Sequence, residues 1–383
     1  MDCDFLIIGA GMAGASAAYE LTGPEGAPGA KVVVVEREDF PGYHTTGRSA
    51  AIYTSCYGHP LIRALSAASR PFFDAPPAGF SEHPLLTPRG ILFVGRTDQE
   101  SAVENLYAEC RGLAPGLRLI DGAEAEGLVS VLAPGYTGSA MFEPEAMDMD
   151  VDAILQGYLR GFKARGGTVV TDAEVQGLDR RPGGGWRVQT RVGEFTAATV
   201  INAAGAWADE VARLAGLAPL GLVAKRRTAV VFDPPAGVDC GSWPAVIDVD
   251  ERFYFAPDAG RILASPADET PMPPSDVQPE DIDVAVAIDR VERATTLKVA
   301  SIGRKWAGLR SFFPDKVPAV GPDAAEDSFF WLAGQGGYGI MTAAAMGRSA
   351  AALAAGHDLP DDLRDLGLKR QDLAPARLSR SFE

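Results

Sequence analysis

The chain has 383 residues, 46% of them hydrophobic and 22% charged, with 43 Gly and 28 Pro; it is long enough for two or three domains and too apolar for a disordered polymer. Lys plus Arg number 35 against 51 Asp plus Glu, a net charge of −16, and a field of that sign repels phosphate backbones, so nucleic acid is excluded as a partner. Cys3, Cys56, Cys110 and Cys240 form no C-x-x-C pair, and His44, His59, His83 and His357 show no ligand spacing; neither a disulfide framework nor a metal is expected.

Along the chain, Met1-Asp2-Cys3-Asp4 is acidic where a signal peptide is basic, and the apolar stretch from Phe5 to Tyr19 is too short to span a bilayer. A cytoplasmic protein with no stable membrane span is expected. Phe5 to Ile8 reads as a buried strand, Gly9-Ala10-Gly11-Met12-Ala13-Gly14 as a G-x-G-x-x-G turn, and Ala15 to Leu21 as a helix. Val32 to Val35 forms a second strand ending on Glu36 and Arg37, which completes a βαβ unit. Gly9 permits the tight turn, Gly11 lets a pyrophosphate approach the backbone, and Gly14 lets helix and strand pack closely. Glu36 can accept from ribose hydroxyls, and the helix N-terminus donates N–H groups to the phosphates. Gly9, Gly11, Ala13, Gly14, Glu36 and Arg37 are therefore candidate dinucleotide contacts, a pattern that does not separate NAD from FAD.

Gly42 to Ala51 reads as a loop leading into a helix, Ile154, Tyr158 and Phe162 recur at helical spacing, and Gly166-Gly167 closes that helix before a strand at Thr168 to Val170. Ala229 to Phe232 and Phe253 to Phe255 read as antiparallel strands between Pro-rich breaks. A glycine turn at Gly336 to Gly339 precedes a helix from Ala343, and the polar tail after Gly356 is expected to wrap the surface.

The Gly42 to Ala51 segment, with Thr45, Thr46, Gly47, Arg48, Ser49, Ala50 and Ala51, resembles the T-x-x-S/R-S segment of flavoenzymes related to D-amino acid oxidase. The run on through Tyr57 to Arg63-Ala64-Leu65 resembles the bacterial FAD-dependent D-arginine dehydrogenases in particular. Ala173 to Val175, a short strand in the family, and Val200 to Trp207, Trp306 to Arg310 and Phe330 to Ile340 match further family segments in order. The resemblance implies an α/β (α+β) fold of D-amino acid oxidase type. Its Rossmann-like FAD-binding domain would draw on residues 1–85, 145–215 and 320–383, and its discontinuous mixed-sheet substrate domain on 86–144 and 216–319. It also implies non-covalent FAD, held by the loop from Thr45 to Ala51 and by Val175, Ala203, Gly205, Trp207, Gly308, Gly336, Gly337, Tyr338, Gly339 and Ile340. Relatives that act on N-methyl amino acids often tie the flavin to a Cys near the last motif, and no Cys lies there.

The same resemblance assigns the substrate carboxylate to Arg227 and Arg310, the closing hydroxyls to Tyr57 and Tyr254, and the α-amine to the backbone of Gly337. Three positions depart from the arginine-oxidising pattern: Ile52 stands for a His, Ile91 for a Glu and Met341 for a Gln. All three remove polarity from the side-chain pocket, and an apolar wall does not repay the desolvation of a guanidinium. The expected reaction is therefore oxidative deamination of D-amino acids to 2-oxo acids and ammonia, with apolar side chains favoured over D-arginine. The electron acceptor stays open between a quinone and oxygen. A sarcosine-like N-methyl amino acid oxidase and a non-catalytic flavin-binding sensor are the alternatives.

Overall fold

The structure is a computed structural model that describes residues 1–382. Strand β1 (Asp2–Ile8), helix α1 (Met12–Leu21) and strand β2 (Val32–Val35) open it. β1 lies between β2 and the strand Gly193–Asn202, parallel to both, and strands covered on both faces carry unbroken apolar runs such as Val32 to Val35. This first sheet has eight strands. Val175–Arg180, Trp186–Thr190 and Gly193–Asn202 lead to β1, β2 and Thr168–Val170, while Phe329–Ala333 adds beside Gly193–Asn202 and carries Ala319–Pro322.

Three helices cover it by close approach. A Cβ on Gly347, in the helix Ala343–Ala354, would come within 2.9 Å of the Ser16 backbone of α1, and Gly161, in the helix Val151–Ala164, lies against the ring of Tyr19. The Asp150 side chain caps Val151–Ala164 by accepting from the Ala153 N–H, and Gly166 follows its end in the left-handed conformation that a helix stop favours.

The second sheet has nine strands and is antiparallel except where Ile91–Gly95 runs parallel to Ala245–Asp248. Its longest pairing joins Val223–Phe232 to Arg304–Phe312, in a register from Val223 opposite Phe312 to Val231 opposite Arg304. Helix Asp281–Ala294 buries Val284, Ala287, Val291 and Ala294 in the core beneath this sheet. A third sheet has three strands, Ile52–Tyr53, Met147–Met149 and Leu86–Pro88, with Met147–Met149 in the middle. No helix among the described residues is long and apolar enough to cross a membrane.

Three local expectations change. The Gly42 to Ala51 loop makes only a 3₁₀ turn at Thr46–Arg48, and no α-helix follows until Pro60–Asp74. Its polar side chains reach outward instead: Thr45 Oγ1 donates to the Leu309 carbonyl at 2.6 Å, and Arg48 Nη1 donates to the carbonyls of Val277 and Ala307. The strand expected at Ala173 begins at Val175 and runs to Arg180, because Asp172 takes a left-handed φ of 54° that breaks the extended chain. The tail does not simply wrap the surface. Leu359, Leu363, Leu368 and Leu373 are each 2% exposed or less and join the core of the first sheet, Leu363 and Leu373 on two short helices, Asp361–Asp365 and Arg370–Leu373, and Leu359 and Leu368 in the segments that precede them. Their four- and five-residue spacing, set among charged residues, conceals that face. Leu363→Ala should lower the unfolding free energy by about 2–4 kcal/mol, read as a lower urea midpoint at unchanged slope; an unchanged midpoint would show that the tail is not part of the core.

Candidate active site

The glycine turn after β1 holds two kinds of glycine. Gly9 has φ +104°, and a Cβ there would sit 2.5 Å from the Ala203 carbonyl oxygen; a Cβ on Gly14 would sit 1.9 Å from that of Gly9. Neither position has room for a side chain. A Cβ on Gly11 meets only Thr46 Oγ1, at 3.2 Å, so this glycine is bare toward an open cleft. Beside it the Met12 N–H, in the first turn of α1, donates to Thr46 Oγ1 at 3.0 Å. At the end of β2, the nearly buried Glu36 accepts the Ala10 N–H at 2.8 Å and the Glu38 N–H at 3.1 Å. Its carboxylate is thus fixed in place before any ligand arrives.

These groups border a cleft of about 540 Å³ that Val175, Ala203, Gly205, Trp207, Gly308, Gly336, Gly337, Gly339 and Ile340 also line, together with Ala13, Arg37, Thr45, Arg48, Ser49 and Ala50. Arg37 lies 4.7 Å over the Trp207 ring and pairs with Glu174, while the His44 ring packs at a tilt against Trp207, 4.7 Å between centroids, and bonds Glu38 at 2.8 Å. Four of the expected contacts do not face this cleft. Gly14 is enclosed by backbone, and the Gly47 N–H turns back to the Gly42 carbonyl. Ala51 faces the inner chamber described below, and Tyr338 packs edge-on against Tyr57. Arg48 touches the cleft, but its guanidinium is engaged by Asp276 and by the carbonyls of Val277 and Ala307. At the far wall, Gly336 takes φ +54° with a would-be Cβ 2.1 Å from the Phe312 ring, and the Gln335 amide nitrogen is buried with no partner. A bare glycine at the helix start, an anchored acid and an orphaned amide donor fit an elongated phosphate ligand with a polar ring system at one end.

A smaller chamber of about 80 Å³ shares Ser49, Ala50, Arg227, Tyr254, Arg310, Gly337 and Ile340 with the cleft. All eight residues expected around a substrate line it: Ile52, Tyr57, Ile91, Arg227, Tyr254, Arg310, Gly337 and Met341. Arg227 and Arg310 stand on the paired strands Val223–Phe232 and Arg304–Phe312, with Gly308 opposite Arg227 and Lys225 opposite Arg310.

The two arginines are not equivalent. Arg227 Nε donates to the Asp268 carbonyl at 2.9 Å, and its Nη2 lies 3.3 Å from Glu269. Its neighbour Arg226, on the opposite strand face, is 3% exposed and pairs with Asp268, Glu280 and Asp283, so the Lys225-Arg226-Arg227 cluster is no solvated strand end. Arg310, among the described residues, has no carboxylate in salt-bridge range. Burial opposes its charge, yet Tyr254, Tyr57, Tyr338 and Glu251 around it leave its pKa raised. A Cβ on Gly337 would lie 2.8 Å from its Nη1, so glycine there makes room for the guanidinium. Burial pushes the phenols of Tyr57 and Tyr338 up, with Glu251 adding and Arg310 opposing in both. At neutral pH both are O–H donors.

Thr54, Ile247, Glu251, Phe253 and Ala267 also line the chamber and were not singled out by the sequence. Glu251 occupies the turn between Ala245–Asp248 and Tyr254–Asp258 with φ +55°; Asp248 Oδ1 accepts the N–H groups of Asp250 and Arg252 and holds that turn. Tyr57 Oη donates to Glu251 Oε2 at 3.2 Å. Nothing in the local sequence marks a turn glutamate as a chamber residue.

A family model described as FAD dependent oxidoreductase matches residues 4–353. Over 378 residues the chain is 25% identical to the uncharacterized oxidoreductase YurR of Bacillus subtilis (strain 168), covering 94% of this chain and 96% of that one. Over 228 residues it is 28% identical to the L-2-hydroxyglutarate dehydrogenase of Escherichia coli (strain K12), which is 56% of this chain and 50% of that protein. Its fold is similar to that of L-proline dehydrogenase from P. horikoshii, with a TM-score of 0.84 at 23% identity over 99% of this chain and 98% of that one.

The two glycine types give opposite outcomes. Gly11→Val should fold, with an unchanged far-ultraviolet spectrum, yet purify without bound dinucleotide, whereas Gly14→Val should fail to fold. Absorbance of bound cofactor against protein measures the first, and a Gly11→Val protein with full cofactor content would place the phosphates elsewhere.

Proposed function

The chain belongs to the FAD dependent oxidoreductase family, and from that premise we propose that it oxidises D-amino acids with apolar side chains to 2-oxo acids and ammonia. FAD would be held non-covalently by the helix start at Gly11, by Glu36, by the Thr45 to Ala50 loop and by the Gly336 to Ile340 turn; when bound it supplies the acceptor for two electrons. The observation that carries the reading is Arg310, a chamber cation with no carboxylate partner among the described residues, flanked by the phenols of Tyr57 and Tyr254. A half-buried guanidinium with no carboxylate in salt-bridge range calls for one from the ligand, and its planar fork suits a carboxylate. Arg227, already tied to Glu269 and to the Asp268 carbonyl, adds field and a second set of donors.

With its carboxylate at Arg310 and its amine at the Gly337 carbonyl, a substrate presents Cα–H toward the cleft shared by both cavities. Positioning of this kind is the protein's main contribution to such a reaction. As hydride leaves Cα, the amine lone pair closes the C=N bond; water then adds to the imino acid and ammonia departs. Ile52, Ile91, Ile247, Phe253 and Met341 face the side chain. These walls favour D-leucine, D-methionine or D-phenylalanine, each buried methylene contributing about 0.8 kcal/mol.

Glu251 favours a second reading. It is a carboxylate on the chamber lining, and it offers a counter-charge to a long cationic side chain, as in the D-arginine dehydrogenases that the Gly42 to Leu65 segment resembles. Its acceptor role toward Tyr57 competes with that use.

Anaerobic bleaching of the bound flavin by a panel of D- and L-amino acids tests both readings. D-leucine or D-methionine should reduce the flavin with higher kcat/KM than D-arginine, and Ile91→Glu should move the preference toward D-arginine and D-lysine. A wild-type protein that prefers D-arginine would establish the second reading, and one bleached only by L-amino acids or N-methyl amino acids would overturn both. Arg310→Ala, with FAD retained, should lose about 100-fold in kcat/KM, the effect of removing about 3 kcal/mol of charge pairing; near-normal turnover would mean that the carboxylate is held elsewhere.

A further inference from the structure

The residues that precede Tyr57 are fastened to one buried acid. Glu143 ends the strand Ser139–Glu143 and is 0% exposed. Its Oε1 accepts the Ser55 N–H at 2.7 Å and its Oε2 accepts the Thr54 hydroxyl, while Thr54 Oγ1 itself accepts the Cys56 N–H at 3.1 Å. Three consecutive residues, Thr54, Ser55 and Cys56, are thus fixed through a single carboxylate, and the next residue is Tyr57. Glu143 lies directly opposite Ile91 in the antiparallel register, so both side chains stand on the same face of the sheet, where Ile91 and Thr54 line the inner chamber.

We propose that Glu143 is a positioning residue: it sets the Thr54 to Cys56 turn so that the Tyr57 phenol meets the substrate carboxylate beside Arg310. No cation among the described residues pairs with Glu143. Burying an unpaired carboxylate opposes folding, and burial raises its pKa, an effect its hydrogen bonds from Thr54 and Ser55 counter. A loop needing only attachment is held more stably by apolar packing. What the carboxylate adds is direction, because two acceptor oxygens fix both the Ser55 amide and the Thr54 hydroxyl at once. The Tyr57 ring beyond them then has little freedom, bounded by Tyr338 at 5.1 Å between centroids and by Glu251 at its hydroxyl.

The inference rests on the reading of Tyr57 given under Proposed function, and the test separates the two. Kinetics of FAD-loaded wild type, Glu143→Ala, Glu143→Gln, Tyr57→Phe and the double variant Tyr57→Phe with Glu143→Ala are compared, using the amino acid that bleaches the wild-type flavin fastest. Glu143→Ala should raise KM by about tenfold while kcat stays within about threefold and the flavin spectrum is unchanged, the pattern of lost substrate binding. Glu143→Gln should restore a near-wild-type KM, since its amide oxygen still accepts from Ser55 and the Thr54 hydroxyl can turn to accept from its amide nitrogen. The double variant should be no worse than Tyr57→Phe alone, because the two act on one interaction. If Glu143→Ala gives no soluble protein, Thr54→Val, which cuts the bridge and keeps the acid, should show the same KM rise. A Tyr57→Phe variant with normal KM overturns the role of Tyr57 and this inference with it. An impaired Tyr57→Phe beside a normal Glu143→Ala, or effects that simply add, overturns the positioning role alone.

Discussion

The geometry of both cavities depends on how one antiparallel strand pair meets one loop. Val223–Phe232 and Arg304–Phe312 hold Arg227 and Arg310 in a shared register, and the same second strand offers its Ala307 and Leu309 carbonyls to Arg48 and Thr45 of the loop after β2. The loop reciprocates, since Trp306 Nε1 donates to the Arg48 carbonyl at 3.1 Å. These bonds join the dinucleotide-binding sheet to the sheet that carries the arginines. A slip of one residue in either strand would turn its guanidinium to the opposite face and part the two arginines, and loss of the loop contacts would free the two cavities from their common wall.

Burial along this junction explains why the chamber's polar groups are so unevenly matched. Arg226, facing away from the chamber, collects three carboxylates; Arg227 collects one; Arg310 has none among the described residues. The protein supplies carboxylates to the cation that faces away from the chamber and none to Arg310, so an anion entering the chamber would meet an unpaired guanidinium. The raised phenols of Tyr57 and Tyr338 belong to the same arrangement, because a neutral donor beside a lone guanidinium adds hydrogen bonds without adding charge.

The amino-terminal βαβ unit was legible because its cues are local: an apolar run, three glycines at fixed spacing and an acid at a strand end all fall within residues 5–36. The arginines and tyrosines of the chamber were legible only through resemblance, since neither Arg310 nor Tyr57 differs in its immediate sequence from an ordinary strand or loop residue. Glu251, Ile247 and Phe253 escaped notice because their place comes from a hairpin folding back over the chamber, which strand periodicity does not record. The Gly42 to Ala51 loop misled in the opposite sense. Its Thr and Arg side chains satisfy distant carbonyls, so the helix that the local sequence allows is replaced by tertiary hydrogen bonds. The tail leucines were hidden by the charges around them.

The bond from Thr45 to the Leu309 carbonyl closes a chain separation of 264 residues, and this has a consequence for biosynthesis. At roughly 5–20 residues per second of translation, a nascent chain waits on the order of 13–53 seconds between making the two partners. Throughout that interval the glycine turn and Glu36 already exist, but the wall containing Gly308 and Gly336 does not, so the cleft stands half built. A ligand that needs both walls therefore waits until Gly336 has been made, and contacts this distant in sequence form slowly once available. Until then the amino-terminal unit has one sheet face uncovered, the kind of exposed surface that makes an incomplete fold prone to association with other chains.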